Sequence, residues 1–261
     1  MDAPASPEPR AADALVVLAL GWASWLAATA LSSAHLPVVA AHAFLALAFL
    51  GSVAAGAKLC RLPLEAFLAP GRIDLASAFW TLAGTVGLSA TLLGLSEPLF
   101  DLFRALGRDY RLDIERVEGW VRDIPAAAAW PLLAGLVPLG EEALFRGATL
   151  RGWRNSLRPG PALLLSSALF AAPHMLPPRM VMTFILGLWF GGLALRSGGL
   201  VAPILAHAAN NALVLALVYA RVPEIPAPVA AAGSVLAGIS AWRLFGRRAV
   251  PVQGSGPAEP S

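Results

Sequence analysis

Two adjacent carboxylates and one arginine, Glu141, Glu142 and Arg146, stand inside an otherwise apolar run of the sequence. Ionisable side chains are costly at membrane depth, and where they occur they usually face a protein interior or a wet cavity and serve a function. Glu142 and Arg146 lie four residues apart with the acid first, which is the favourable order for a pair on one helix face. Alone, this stretch fits either an ion pair that joins two helices or a catalytic site.

Other polar residues occur in two further apolar runs, with His174 in one and His207 and Asn211 in the other. The four-residue spacing of His207 and Asn211 places them on the same face of a helix. At ~1.5 Å per helical residue, Glu141, His207 and His174 lie ~15, ~12 and ~20 Å from the basic or glycine-rich ends of their runs. Three different helices are therefore expected to bring titratable groups to similar depth.

These residue types suit hydrolysis by an activated water. A glutamate and a histidine can act together as general base, while a second histidine and an asparagine amide can hydrogen-bond a developing oxyanion. The sequence contains neither the H-E-x-x-H zinc motif nor the G-x-S-x-G nucleophile motif. Two histidines and a glutamate can also bind Zn²⁺, so Glu141, His174 and His207 form an alternative set of metal ligands.

The composition indicates a membrane protein. Of 261 residues, 57% are hydrophobic and 13% are charged, whereas a soluble domain carries about 25% charge. The apolar residues form blocks of roughly 20, the length that a helix needs to cross the hydrocarbon core. We predict an all-α, polytopic integral membrane protein with about eight transmembrane helices around a central polar cavity. The net charge of +3 comes from arginines in short loops, so no nucleic-acid partner is expected.

The chain divides into one membrane domain, 13–246, between Pro-rich tails at 1–12 and 247–261 that we predict to be disordered. The spans are predicted at about 14–33, 36–58, 75–95, 125–147, 160–176, 179–195, 200–221 and 227–245. The charged segment 96–124 is expected to form one or two amphipathic helices at the interface. Gly187 and Gly191, four residues apart, predict close helix packing.

The distribution of arginines predicts the topology. Eight spans place both termini on one side, and the basic residues of the short loops concentrate on that side. By the positive-inside rule this side is cytoplasmic. We therefore predict an integral protein of the bacterial inner or plasma membrane with both termini in the cytoplasm.

Three motifs follow one another on separate predicted helices. They read Glu141-Glu142-Ala143-Leu144-Phe145-Arg146, Phe170-Ala171-Ala172-Pro173-His174 and His207-Ala208-Ala209-Asn210-Asn211. In order and type they resemble the Glu-Glu-x-x-x-Arg, Phe-x-x-x-His and His-x-x-x-Asn motifs of the CAAX prenyl protease type II and bacteriocin-processing family, also called the CPBP or Abi family. The resemblance covers about 125–221, which we take as the core of the membrane domain.

The resemblance implies an intramembrane glutamic-type endopeptidase that needs no cofactor. By this likeness Glu141 activates the water with help from His174, and His207 and Asn211 form the oxyanion hole. Glu142 and Arg146 would be supporting groups that orient the site. The implied partner is a membrane-associated peptide or protein substrate in the lipid bilayer, cleaved near its C-terminus and in some branches lipidated.

Three other functions fit the same residues. The first is a catalytically inactive membrane scaffold or immunity protein that binds a peptide partner. The second is a zinc-dependent metalloprotease that uses the same site. The third is a transporter or channel with a proton relay of glutamate and histidine.

Overall fold

The computed structural model describes residues 7–33, 37–222 and 224–246, and every regular element within these ranges is helical. The α-helices there are α1 (Ala11–Ser33), α2 (Val38–Leu59), α3 (Glu65–Leu68), α4 (Leu75–Gly94), α5 (Ser96–Ala105), α6 (Arg111–Arg122), α7 (Ala126–Pro131), α8 (Val137–Glu142), α9 (Arg151–Arg154), α10 (Pro159–Ala171), α11 (Pro177–Ser197), α12 (Val201–Ala220) and α13 (Ala227–Phe245). Two π-helical segments, Leu132–Leu136 and Ala143–Leu150, join α7, α8 and α9 into one rod. A 3₁₀ turn, Ala172–His174, follows α10.

Six helices in the described ranges are long and apolar enough to cross a membrane, and a seventh is added if α6 and the rod Ala126–Arg154, bent by 103°, form one span. The predicted all-α, integral membrane fold is therefore confirmed. The predicted span at 160–176 corresponds to α10, which has 13 residues, and the 3₁₀ turn. A helix of that length reaches ~20 Å, which is short of the ~30 Å hydrocarbon core.

The segment 96–124 forms two amphipathic helices, α5 and α6, as predicted. Arg111 holds them together, since its guanidinium lies 2.9 Å from Glu97, 2.8 Å from Asp101 and 3.1 Å from Asp109. The backbone N–H of Arg111 also donates to Asp109 Oδ1 at 3.0 Å, which lowers the pKa of that carboxyl. These contacts hold α5 and α6 together, just before the rod begins at Ala126.

Small residues let the long helices approach closely. A Cβ on Gly187 would lie 3.1 Å from Ser167 Cβ, and a Cβ on Gly191 would collide with the side chain of Leu163. Both glycines lie on α11 and both neighbours lie on α10, so the predicted close packing is confirmed. The same device joins α4 to α13, where Gly87 and Gly233 face each other.

The start of α12 is fixed by the segment before α4. The N–H of Leu200 donates to Ala69 O at 3.0 Å, and the N–H of Val201 donates to Pro70 O at 3.0 Å. Arg151 adds a third tie, with Nη2 donating to Gly198 O at 3.0 Å. These bonds hold the helix that carries His207, so an arginine that the sequence suggested as a topology signal also stabilises the fold.

The predicted tails lie largely outside the described residues, which begin at 7 and end at 246. Within the described part, α1 begins at Ala11, inside the range predicted as the N-terminal tail. Pro9 is buried, and its carbonyl accepts a hydrogen bond of 2.9 Å from Asn155 Nδ2. The chain just before α1 therefore packs against the end of the rod.

Candidate active site

Glu141 and Glu142 are the last residues of α8, where the rod passes into its second π-helical segment. The rod lies close to α2 at this point, because a Cβ on Gly140 would lie 2.6 Å from Ala46 O. The two carboxylates have different surroundings. The side chain of Glu142 is 0% exposed and that of Glu141 is 17% exposed. Only Glu141 is therefore accessible to a substrate.

Glu142 is bonded on one oxygen by two different groups. Arg146 Nη1 donates to Glu142 Oε1 at 3.1 Å, and His207 Nδ1 lies 2.8 Å from the same oxygen. Arg146 continues to α11, where its Nη2 donates to Gly187 O at 3.0 Å. An ionised carboxylate only accepts hydrogen bonds, so Nδ1 of His207 carries the proton. Glu142 thus links the rod to α12 and, through Arg146, to α11.

His207 lies between the two carboxylates. Its Nε2 is 3.7 Å from Glu141 Oε2, on the opposite side of the ring from Glu142. Phe190 stacks on the imidazole with a centroid distance of 5.0 Å, and Phe170 meets it edge-on at 5.5 Å. The ring is therefore held by packing as well as by hydrogen bonding, with Nε2 directed at the accessible carboxylate.

Asn211 lies one turn beyond His207 on α12 and is half-buried. Its Nδ2 donates to Leu133 O at 2.8 Å, on the first π-helical segment of the rod. Its Oδ1 accepts a hydrogen bond of 3.0 Å from Asn210 Nδ2. Leu133 thus uses one of the two N–H groups of the Asn211 amide, and the other makes no hydrogen bond among the described residues.

His174 lies beside this cluster on the 3₁₀ turn after α10. Its ring centroid is 5.9 Å from that of Phe170, which in turn packs against His207. Within the described ranges, no hydrogen bond or ion pair joins His174 to Glu141, and the buried Nδ1 of His174 has no hydrogen-bond partner. The structure therefore places His174 next to the cluster without a direct bond to Glu141.

The family model described as type II CAAX prenyl endopeptidase, Rce1-like, matches residues 123–213. The resemblance predicted from the motifs is confirmed. All three motifs lie inside the matched segment. No curated protein and no solved structure matches the chain. The match also confirms the predicted membrane-embedded hydrolase of the CAAX-protease class, and the roles of the individual site residues stay predictions.

The alternative zinc ligands Glu141, His174 and His207 are not grouped around one point among the described residues. In the part of the chain that the structure describes, no three His, Cys, Asp or Glu side chains are grouped to hold a metal ion. The bond from His207 Nδ1 to Glu142 leaves Nε2, 3.7 Å from Glu141 Oε2, as the ring atom that could bind a metal, and His174 makes no hydrogen bond to Glu141 in the described ranges. We therefore derive no catalytic step through a metal.

Sequence reasoning missed three groups near the CAAX-protease motifs. Phe190 carried no signal apart from its apolar character, yet it stacks on His207. Arg179 stands at the start of the predicted span 179–195, but it is half-buried on α11 and interacts electrostatically with Glu141 and Glu118. Asn210 lies beside Asn211 in the third motif but points about 100° away on the helix, so its spacing indicates no role in the site. Its position directly before Asn211 in the third motif was the one sequence feature that pointed to it.

Proposed function

We propose that this chain is an intramembrane endopeptidase that hydrolyses a peptide bond near the C-terminus of a membrane-associated or lipidated substrate. The family match supports a CAAX-type intramembrane endopeptidase in general. The observation that carries the mechanism is the difference between the two carboxylates. Glu142 is enclosed and bonded to Arg146 and His207, whereas Glu141 is partly exposed.

Glu141 is proposed as the general base for the attacking water. Among the described residues, its only ion-pair partner within 4.0 Å is His207, at 3.7 Å. A carboxylate without a close guanidinium or ammonium retains its capacity to accept a proton. Arg146, the nearby cation, is instead bonded to Glu142. In this proposal Glu141 takes a proton from water as the water attacks the scissile carbonyl.

His207 and Asn211 are proposed to stabilise the oxyanion. With Nδ1–H bonded to Glu142, Nε2 of His207 donates to the oxyanion in the imidazolium form, which takes its second proton from solvent before the water attacks, and the Glu142 carboxylate offsets that charge. The second N–H of the Asn211 amide supplies another donor. His174 is proposed to assist Glu141, because its ring packs against Phe170, which in turn packs against His207.

The proposed membrane location is the bacterial inner or plasma membrane, with both termini cytoplasmic. The apolar helices and the family match support an integral membrane protein, and the basic short loops support this orientation. Tags on the two termini, tested for accessibility in intact cells and in inverted vesicles, check it. Labelling of either terminus from outside intact cells would contradict the orientation.

Peptide cleavage in proteoliposomes tests the activity. The probes are internally quenched peptides in which a farnesylated cysteine is followed by the last three residues of the chain. Unlipidated peptides of the same sequence are compared with them. We expect Glu141→Gln to lower kcat by roughly 10²–10⁴-fold, the range for loss of a general base. The matched control is Glu115→Gln, which removes an exposed carboxylate on α6.

Two results would reject the proposed activity. Cleavage by Glu141→Gln at the wild-type rate would remove Glu141 from the chemistry. Peptide binding by the wild-type chain without any cleavage would instead indicate a scaffold or immunity protein, and proton-coupled flux without cleavage would indicate a transporter. The comparison of farnesylated with unlipidated peptides shows whether the lipid contributes to recognition.

A further inference from the structure

The carbonyl of Leu133 loses its backbone partners inside the first π-helical segment. The Val137 N–H, which would bond to Leu133 O in an α-helix, donates to Leu132 O instead. In a π-helix the donor would be residue 138, but Pro138 has no N–H. A carbonyl inside a helix that lacks its backbone donor favours a side-chain donor at this point. Asn211 Nδ2 supplies the hydrogen bond, at 2.8 Å.

A carbonyl can only accept hydrogen bonds, and this fixes the direction of every bond behind it. Asn211 must present Nδ2 to Leu133, so its Oδ1 faces the other way and needs a donor. Asn210 provides that donor, with Nδ2 3.0 Å from Asn211 Oδ1. The Oδ1 of Asn210 accepts a hydrogen bond of 2.7 Å from Ser89 Oγ. The chain of bonds therefore has a single direction.

This chain of bonds is closed off from solvent at its far end. Ser89 is 2% exposed and Asn210 is 9% exposed. Buried amides and hydroxyls are normally satisfied, and a fully satisfied network selects one arrangement. Ser89 lies on α4, which is outside the matched segment 123–213. The first half of the chain thus contributes directly to the placement of a site residue.

We propose that Asn210, held by Ser89, is a positioning residue that fixes which end of the Asn211 amide faces Leu133 and which N–H remains for a ligand. A half-turn of the Asn211 amide would place Oδ1 against Leu133 O and Nδ2 against Asn210 Nδ2, two repulsive contacts. The catalytic consequence rests on the proposed function, in which Asn211 donates to the oxyanion. Asn210 itself touches no reacting atom.

A double-variant cycle on the full chain tests the proposal. We expect Asn211→Ala to lower kcat by roughly 10²–10³-fold, as for loss of an oxyanion donor. Asn210→Ala and Asn210→Asp are each expected to lower kcat by roughly 10-fold or more. KM is expected to change less than about twofold, because the misplaced Asn211 amide loses a contact that is made mainly in the transition state. In the Asn211→Ala background, Asn210→Ala is expected to change kcat by less than about twofold, since it acts through Asn211.

Thermal unfolding of the wild-type chain, Asn210→Ala, Asn211→Ala and the double variant gives a readout that does not depend on cleavage. Coupling between Asn210 and Asn211 makes the fall in Tm of the double variant smaller than the sum of the two single falls. Ser89→Ala is expected to lower kcat when Asn211 is present and to have no further effect in the Asn211→Ala background. The matched control is Ser52→Ala, which removes a buried hydroxyl that bonds to Ser24 and is expected to leave kcat unchanged.

Additive falls in Tm would overturn the proposal, whether or not a peptide is cleaved. An equal loss of kcat for Asn210→Ala in both backgrounds would also overturn it, because Asn210 would then act independently of Asn211. If the wild-type chain cleaves none of the farnesylated or unlipidated peptides, the proposed function fails, and the unfolding cycle still decides whether Asn210 orients Asn211.

Discussion

His207 Nδ1 lies 2.8 Å from Glu142 Oε1, so the enclosed carboxylate holds the imidazole. Glu141 lies on the other side of the ring, 3.7 Å from Nε2. Glu141 and Glu142, adjacent in one motif, therefore lie on different sides of His207. The carboxylate that pairs with Arg146 orients His207, and the other, which has no arginine within 4.0 Å among the described residues, faces the accessible side.

Glu142→Gln is expected to lower kcat without preventing peptide binding. The glutamine keeps the shape of the side chain but loses the charge that holds Nδ1–H of His207 and offsets an imidazolium. Loss of an orienting carboxylate behind a catalytic histidine costs roughly 10²–10⁴-fold in kcat. Steady-state kinetics with the quenched peptides measures this, with Glu115→Gln as the control. A wild-type kcat would show that the bond between Glu142 and His207 has no role in turnover.

Arg146→Met is expected to destabilise the protein more than the double variant Glu142→Gln/Arg146→Met. Both side chains are 0% exposed, and removal of one partner of a buried pair leaves an uncompensated charge, at a cost of about 3–5 kcal/mol. The double variant removes both charges together. Unfolding in detergent, followed by helical circular dichroism, compares the two. Equal or larger destabilisation in the double variant would show that the pair is not energetically coupled.

His207→Ala and Asn211→Ala are expected to reduce turnover more than substrate binding. Oxyanion contacts act mainly in the transition state, so kcat should fall roughly 10²–10³-fold while KM changes only a few-fold. Single-turnover and steady-state measurements on the same farnesylated peptide separate the two effects. Unchanged kcat in both variants would remove the proposed oxyanion hole. A large rise in KM alone would assign the two residues to substrate binding.

Chelators are expected to leave activity intact. Among the described residues no three ligand side chains converge on one point. Activity after treatment with 1,10-phenanthroline, together with metal analysis of the purified protein, checks this expectation. Inactivation by the chelator followed by rescue with zinc would replace the proposed water activation by Glu141 with a metal-based mechanism.

The connection between α5 and α6 is expected to loosen at acidic pH. The backbone N–H of Arg111 lowers the pKa of Asp109, and the Arg111 guanidinium acts in the same direction. The folded pKa lies below the unfolded value of about 3.9. The contribution of Asp109 to stability is therefore present above that value and is lost as the pH falls through the folded pKa.

Hydrogen exchange around Arg111 measures this effect. Protection of the local amides, corrected for the intrinsic rate, should fall between about pH 5 and pH 3 in the wild-type chain. Asp109→Asn keeps the acceptor without a titratable group, so it should lack this part of the pH dependence. The same fall in both proteins would assign the effect to other carboxylates of the segment.

Much of the fold was predictable because span length and Pro or Gly boundaries are local properties of the sequence. The predicted spans at 36–58 and 75–95 correspond to α2 (Val38–Leu59) and α4 (Leu75–Gly94). The short α10 was harder, since its apolar run continues through the 3₁₀ turn at Ala172–His174. Hydropathy does not distinguish a helix that ends within such a run from one that continues.

The site was only partly predictable for a similar reason. The motifs identified the polar residues, and their four-residue spacings gave the local pairs. The sequence did not show which carboxylate bonds to His207, because that depends on how α12 packs against the rod. It also did not show the π-helical segments, whose displaced hydrogen bonds arise from the whole rod and from Pro138. Ser89 had no visible link to Asn210, which lies 121 residues later in the chain.

The bond between Ser89 and Asn210 also bears on how interchangeable the parts of this protein are. Residues 123–213 carry every recognisable motif, yet one of their asparagines is satisfied by a hydroxyl from α4. Transplanting that segment into a relative whose fourth helix lacks such a donor would leave a buried amide oxygen without a partner. Recombination between relatives, natural or engineered, is therefore expected to preserve function only where α4 and α12 are inherited together.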